Sequence, residues 1–223
     1  MDPTFTASER LKQVKSLIEL WHMPISDDDG FSSSAIETNE MRLGHKLPLM
    51  LAQWYRYLGR RSDLTCSQNC LVPLDELRIQ NGFLVFYVEN QAVATWGIPI
   101  PQLSSIDPPV LVTFDTLGPD SHASWIQENS SLTEFLFQMM VLETITLSRF
   151  SFTAENVEPT ITMLKRTYPM LDLPTWHWPS YPTRFYGGQD VLAMTAGKFD
   201  IVVAARSAKA LAQAASELGV ALD

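Results

Sequence analysis

The chain has 223 residues, 46% of them hydrophobic and 18% charged, and 16 basic against 25 acidic residues give it a formal net charge of −9. That size and apolar content suffice for a full hydrophobic core without disulfide or metal staples. The acidic balance argues against a nucleic-acid or anionic-membrane surface and would steer in a cationic partner, although acidity also serves solubility alone. The longest apolar runs, such as 83–88 and 201–205, are far short of the ~20 residues a membrane helix needs, and the N-terminus is polar and acidic from Asp2. No membrane span, signal peptide or anchor is expected, and the predicted location is cytoplasmic. Cys66 and Cys70 share one loop, and no second cysteine pair or close histidine pair completes a metal set, so reduced thiols and no metal are expected.

In chain order, Leu11, Val14, Leu17, Ile18 and Trp21 recur at helical spacing behind Ser8, which predicts a helix over 8–21. Pro24 and the run Asp27, Asp28, Asp29, Gly30 end it. A second amphipathic helix carries Ile36, Glu40 and Leu43 and stops at Gly44. A third starts at Pro48, bears the stripe Leu51, Trp54, Tyr55 and Leu58, and closes at Gly59. The period then changes. Residues 83–88 predict a strand between Asn81-Gly82 and Glu89-Asn90-Gln91, with 92–96 as its return strand and 110–114 as a third. Residues 132–146 read as a helix apolar on most of its circumference, which belongs in a core.

Further on, 156–168 predicts a helix, and 169–182 is a Pro/Trp-rich connector containing Trp176-His177-Trp178. Strands are predicted at 184–186, 191–195 and 199–205, then an Ala/Leu-rich helix over 207–218 ended by Gly219. The division expected is 1–150 for the main domain and 151–223 for a C-terminal βββα extension. That tail either extends the first sheet or forms a small α+β subdomain; the apolar connector favours extension. The fold class expected is α+β, with a largely antiparallel sheet flanked by helices.

Motifs for chemistry are absent. There is no nucleophile elbow, phosphate-cradling loop or dinucleotide fingerprint, and Gly197-Lys198 lies between two strand-like runs, as a hairpin turn would. His22, His45, His122 and His177 are dispersed, without a second ligand-type residue at helical spacing. Asp115 and Asp120 could form a carboxylate pair, yet a loop containing Gly118-Pro119 accounts for them as well. In Trp176-His177-Trp178 two rings on one face of an extended segment could clamp a ligand, or pack over a sheet edge. Tyr186-Gly187-Gly188-Gln189-Asp190 reads as a turn.

One ordered set of residues goes further: Glu40, Leu43-Gly44, Leu47-Pro48, Trp54-Tyr55, Gly59, Asn69, Leu71, Glu76-Leu77, Glu89-Asn90-Gln91 and Trp96. Their order over roughly the first two thirds of the chain resembles the SUKH superfamily, the group of the yeast cell-wall-synthesis regulator and its viral and bacterial relatives. The chain departs from that pattern in having Gly59-Arg60-Arg61-Ser62 where Asn-Gly often follows the helix, and in its long C-terminal third. The resemblance implies a non-enzymatic module without cofactors, most simply an immunity protein that neutralises a bacterial toxin by direct binding. A basic, nuclease-like toxin would complement carboxylates. Candidate partner contacts are Asp27, Asp28, Asp29, Glu89, Trp96 and Asp115, with a solvated loop as the plainer account of the Asp run and a structural role as the plainer one for Glu89. The alternative is a regulatory or scaffolding protein that binds a host protein or peptide, as fungal relatives do; a hydrolase built on Asp115, Asp120 and a histidine ranks below both. A monomer is expected.

Overall fold

The structure, a computed structural model, describes residues 3–115, 123–155, 158–197 and 200–222, with side chains from residue 10 onward. Among these residues are seven α-helices and two antiparallel sheets, the α+β class expected. The chain divides into two compact units, Met1–Met140 and Val141–Asp223, with the boundary inside one helix.

The first unit opens with helices α1 (Pro3–Trp21), α2 (Ser33–Leu43), α3 (Leu49–Leu58) and the single turn α4 (Ser62–Thr65). Strands β1 (Asn69–Leu71), β2 (Arg78–Gln80), β3 (Phe83–Glu89), β4 (Thr95–Pro99), β5 (Val110–Thr113) and β6 (Ile126–Asn129) follow. They form one antiparallel sheet ordered β1-β3-β4-β5-β6, in which β2 also pairs β3. Helix α5 (Leu132–Leu147) sets Phe135 among the rings of Phe86, Tyr87 and Trp96 at centroid distances of 5.5–5.9 Å. All four rings are buried, the packing that an almost wholly apolar helix demands.

Local chemistry sets the helix ends. The Ser32 hydroxyl accepts from the Ala35 amide at 3.2 Å to start α2, and Gly44, at φ 71°, ends it in the left-handed conformation that costs a glycine little. Pro48 sits one position outside α3, not in its first turn. Strand β4 begins at Thr95, three residues after the expected start, because the Glu89 carboxylate holds 89–94 as a turn: it accepts from the Gln91 amide at 2.6 Å and the Val93 amide at 3.3 Å.

The second unit contains β7 (Ser151–Glu155), α6 (Glu158–Thr167), β8 (Arg184–Gly187), β9 (Val191–Ala196), β10 (Asp200–Ala205) and α7 (Ala208–Leu218). Its strands form a separate sheet, β7-β10-β9-β8, so the expectation that the tail extends the first sheet is corrected. The reason is β7, a short alternating segment without a strong hydrophobic signal, which takes the far side of β10 from residues 200–204. Ile161 and Leu164 of α6 and Ala214 and Leu218 of α7 then cover Ala193, Ile201 and Val203 on one sheet face, which makes a two-layer core. Strands β9 and β10 pair across 197–199, as the hairpin reading requires, although Lys198 itself lies outside the described residues.

The cysteines are also corrected. Cys66 and Cys70 are joined by a disulfide, since α4 and β1 turn the chain back until their Cα atoms lie 4.0 Å apart. Composition could not reveal that turn.

Candidate partner-binding site

The six expected contact residues separate into three groups. Trp96 is fully buried in the ring cluster, and Glu89 is buried with its carboxylate also taking a 2.9 Å hydrogen bond from the Gln68 side-chain amide. Neither faces outward. Asp29 is engaged within the chain: its carboxylate accepts from the Ser26 amide at 2.8 Å and the Ser26 hydroxyl at 3.0 Å, and pairs with the Arg61 guanidinium at 3.0 Å. Those bonds, the Ser26 amide first, hold the Asp29 carboxyl below the usual carboxylate range. Asp27 and Asp28 are exposed on the same 3-10 turn, Asp27–Asp29. Asp115 is exposed beyond β5 and accepts from the Ser124 amide at 2.6 Å, while Asp120 and His122, with which it might have grouped, lie outside the described residues.

Arg61 organises the loop around this turn. It gives two hydrogen bonds to Asp63, at 2.7 and 2.8 Å, one to Asp29 and one to the Met23 carbonyl at 3.1 Å. The fork geometry of a guanidinium allows four such bonds at once. Hydrogen bonding to Arg61 lowers the Asp63 carboxyl, and burial lowers the nearby His22 imidazole, whose Nδ1 lies 4.0 Å from Asp63. At Gly30 the loop touches α3 so closely that a Cβ there would lie 1.7 Å from the Arg56 carbonyl oxygen, a position open only to glycine.

Beside this braced loop is an apolar groove of about 210 Å³ lined by Leu11, Val14 and Lys15 of α1, Ile25 of the loop, and Gln53, Trp54, Tyr57 and Leu58 of α3. Leu11, Ile25 and Tyr57 are 37%, 41% and 56% exposed, so the groove opens to solvent. Such a patch, with polar Lys15 and Gln53 in its lining, has the composition of an interface with an apolar centre and polar groups beside it. Trp54 is 5% exposed, and its indole N–H is buried without a hydrogen-bond partner among the described residues. A buried donor of that kind costs free energy until an acceptor meets it. Helical spacing identified Leu11, Val14, Trp54 and Leu58 as apolar-face residues but not as a groove, and it singled out neither Tyr57 nor Ile25. Their exposure depends on how α1 meets α3.

The other sequence candidates are placed as follows. Trp176 and Trp178 are both buried, with Trp176 edge-on to Phe185 and bridged by backbone hydrogen bonds to Thr183, while His177 stacks on Tyr181 at 5.0 Å. The tryptophans pack within the second unit. His45 is exposed after Gly44. Among the described residues no group of three or more His, Cys, Asp or Glu side chains is placed to hold a metal ion, and no helix is long and apolar enough to cross a membrane.

Compared with protein-family models, with curated proteins and with solved structures, the chain gives no significant match.

Proposed function

We propose that the chain is a protein-binding module that carries out no bond-breaking chemistry, and that its partner is a basic protein, most simply a bacterial toxin neutralised by direct contact. The observation that carries this reading is the solvent-open apolar groove between α1 and α3, with the exposed Asp27 and Asp28 two and three residues beyond its lining residue Ile25. An apolar side chain of the partner would fill the groove, and lysines or arginines would meet Asp27 and Asp28. Residues 1–140 contain seventeen acidic and nine basic residues, a formal charge of −8, which favours such an encounter over long range.

Kinship with the SUKH superfamily belongs to the same proposal, and the positions of the shared residues support it. Glu40 accepts from the Leu47 amide at 2.9 Å and from Lys46 Nζ at 2.6 Å, so the acidic residue, the Gly44 turn and Leu47-Pro48 form one hydrogen-bonded corner between α2 and α3. Glu89 similarly organises its turn. These are architectural roles for polar residues, and they leave recognition to the surface.

Co-purification on the tagged chain from its native host, followed by expression of the recovered protein, tests the reading. The recovered protein is expected to be basic and toxic alone, to be suppressed by the wild-type chain, and to escape a Leu11→Asp/Tyr57→Asp variant whose folding is checked by circular dichroism. Asp27→Ser/Asp28→Ser should slow association and reduce its salt dependence. Protection that survives the groove variant removes the groove from the interface. A non-toxic host protein with the same groove dependence replaces immunity with regulation.

A further inference from the structure

We propose that the second unit carries an anion-binding cleft, independent of the groove, which takes a carboxylate or phosphate group between Lys165 and Arg184. The cleft, of about 360 Å³, is lined by Glu158, Ile161 and Lys165 of α6, Pro182, Arg184 and Tyr186 around β8, and Thr195 and Gly197 at the end of β9. That volume falls within the range of small-molecule sites.

The two cations arrive from different elements. Glu158, Ile161 and Lys165 are spaced i, i+3, i+7 and share one helical face. Arg184 lies opposite Thr195 in the β8–β9 register, and Tyr186, two residues further along β8, points to the same face. Tyr186, Thr195 and Ile161 are buried and make the floor, whereas Lys165 and Arg184 are exposed at the rim. None of the ion pairs among the described residues engages either cation. A lysine in the last turn of α6 complements the helix carbonyls, which explains Lys165 by itself. It does not explain Arg184, which the strand brings to the same cleft. A guanidinium and an ammonium that line one cleft and join none of the ion pairs among the described residues are suited to a shared oxyanion, with the Arg fork supplying paired donors.

Two further features shape the ligand. Residues 141–223 hold eight acidic and seven basic residues, a formal charge of −1, so an approaching anion meets little of the repulsion expected over the first unit. Glu158 lies two helical turns from Lys165, roughly 10 Å along the axis. It opposes negative charge at its own end. The ligand is therefore anionic at one end and neutral or cationic at the other.

The test is an amide NMR titration of the full chain with sodium phosphate and, separately, sodium acetate, each against sodium chloride at matched ionic strength. Saturable shifts are expected at Arg184, Tyr186, Thr195 and Gly197 with at least one of the two anions. Tighter binding of phosphate identifies a phosphoryl ligand, and tighter binding of acetate a carboxylate. Arg184→Gln and Lys165→Gln should each weaken binding about tenfold, Glu158→Gln should tighten it several-fold, and Lys209→Gln on α7 should leave it unchanged. Because all four residues are at the surface or its edge, dispersed spectra will confirm that the variants fold. Shifts that fail to saturate, that chloride reproduces, or that are equal in Arg184→Gln, Lys165→Gln and wild type overturn the proposal.

Discussion

The two units use charged residues in opposite ways. In the first, Asp29, Glu40, Glu89 and Asp107 each accept a backbone N–H, from Ser26, Leu47, Gln91 and Thr133 respectively, so a share of its carboxylates serves to fasten turns and helix ends. In the second, apart from Glu143 on α5, the described carboxylates are not buried, and positive-φ glycines such as Gly187 and Gly219 make the reversals, as Gly44 and Gly82 also do in the first. The first unit turns some of its carboxylates to structural use, while in the second Arg206 pairs with Asp190 at 3.1 Å and Lys165 and Arg184 join none of the ion pairs among the described residues.

The sharpest way to break this comparison is to damage each core separately. Trp96→Ala should cost about 3–5 kcal/mol and Ile201→Ala about 2–5 kcal/mol, the range for large buried side chains cut to alanine. Hydrogen exchange should then show protection lost mainly in β3–β5 for Trp96→Ala and in β8–β10 for Ile201→Ala. Equal loss in both units from either variant would mean one cooperative core and would dissolve the division.

Arg61→Ala tests whether inward-facing carboxylates hold the first unit together. It leaves Asp29 and Asp63 without their cation, and a cost of about 2 kcal/mol in chemical denaturation is expected, reduced from a fully buried pair by partial solvent screening. A change below about 0.5 kcal/mol would make the network ornamental. Cys66→Ser/Cys70→Ser should cost at most about 2 kcal/mol, because a loop this short removes little chain entropy from the unfolded state. Failure of thiol-reactive labels to distinguish the protein before and after reduction would contradict the bond.

A smaller, pH-dependent effect should also concentrate in the first unit. Burial lowers the folded His22 imidazole, so the unfolded chain binds that proton more readily and stability falls as pH drops below the ordinary value of about 6.5. Asp63 and Asp29 are lowered too; their contribution is present above about 3.9 and is lost as pH falls through their folded values. His22→Gln should flatten the first stage and leave the second. An unchanged profile, followed by urea midpoints from pH 7 to 3, would place the acid sensitivity elsewhere.

Much of the fold was legible because its signals are local. The periodicity of α3 and α5, the serine start and glycine stop of α2 and α7, and the branched and aromatic run of β3 each lie within one element. The short elements α4, β1, β2, β6 and β7 had no such signal, as three to five residues are too few to show a period. Among the site residues, exposure of Asp27 and Asp28 agreed with the reading of a solvated acidic run, whereas the engagement of Asp29 depended on Arg61, thirty-two residues away.

Residue pattern alone therefore determined the α+β class, the main helices and the residues that form the corner and turn around Glu40 and Glu89, since each rests on neighbours within a few positions. Tertiary structure decided which strands share a sheet, that Cys66 meets Cys70, that Leu11 and Tyr57 border one groove, and that Lys165 and Arg184 border one cleft. Those pairings join segments whose spacing carries no period, and only the packing of whole elements brings them together.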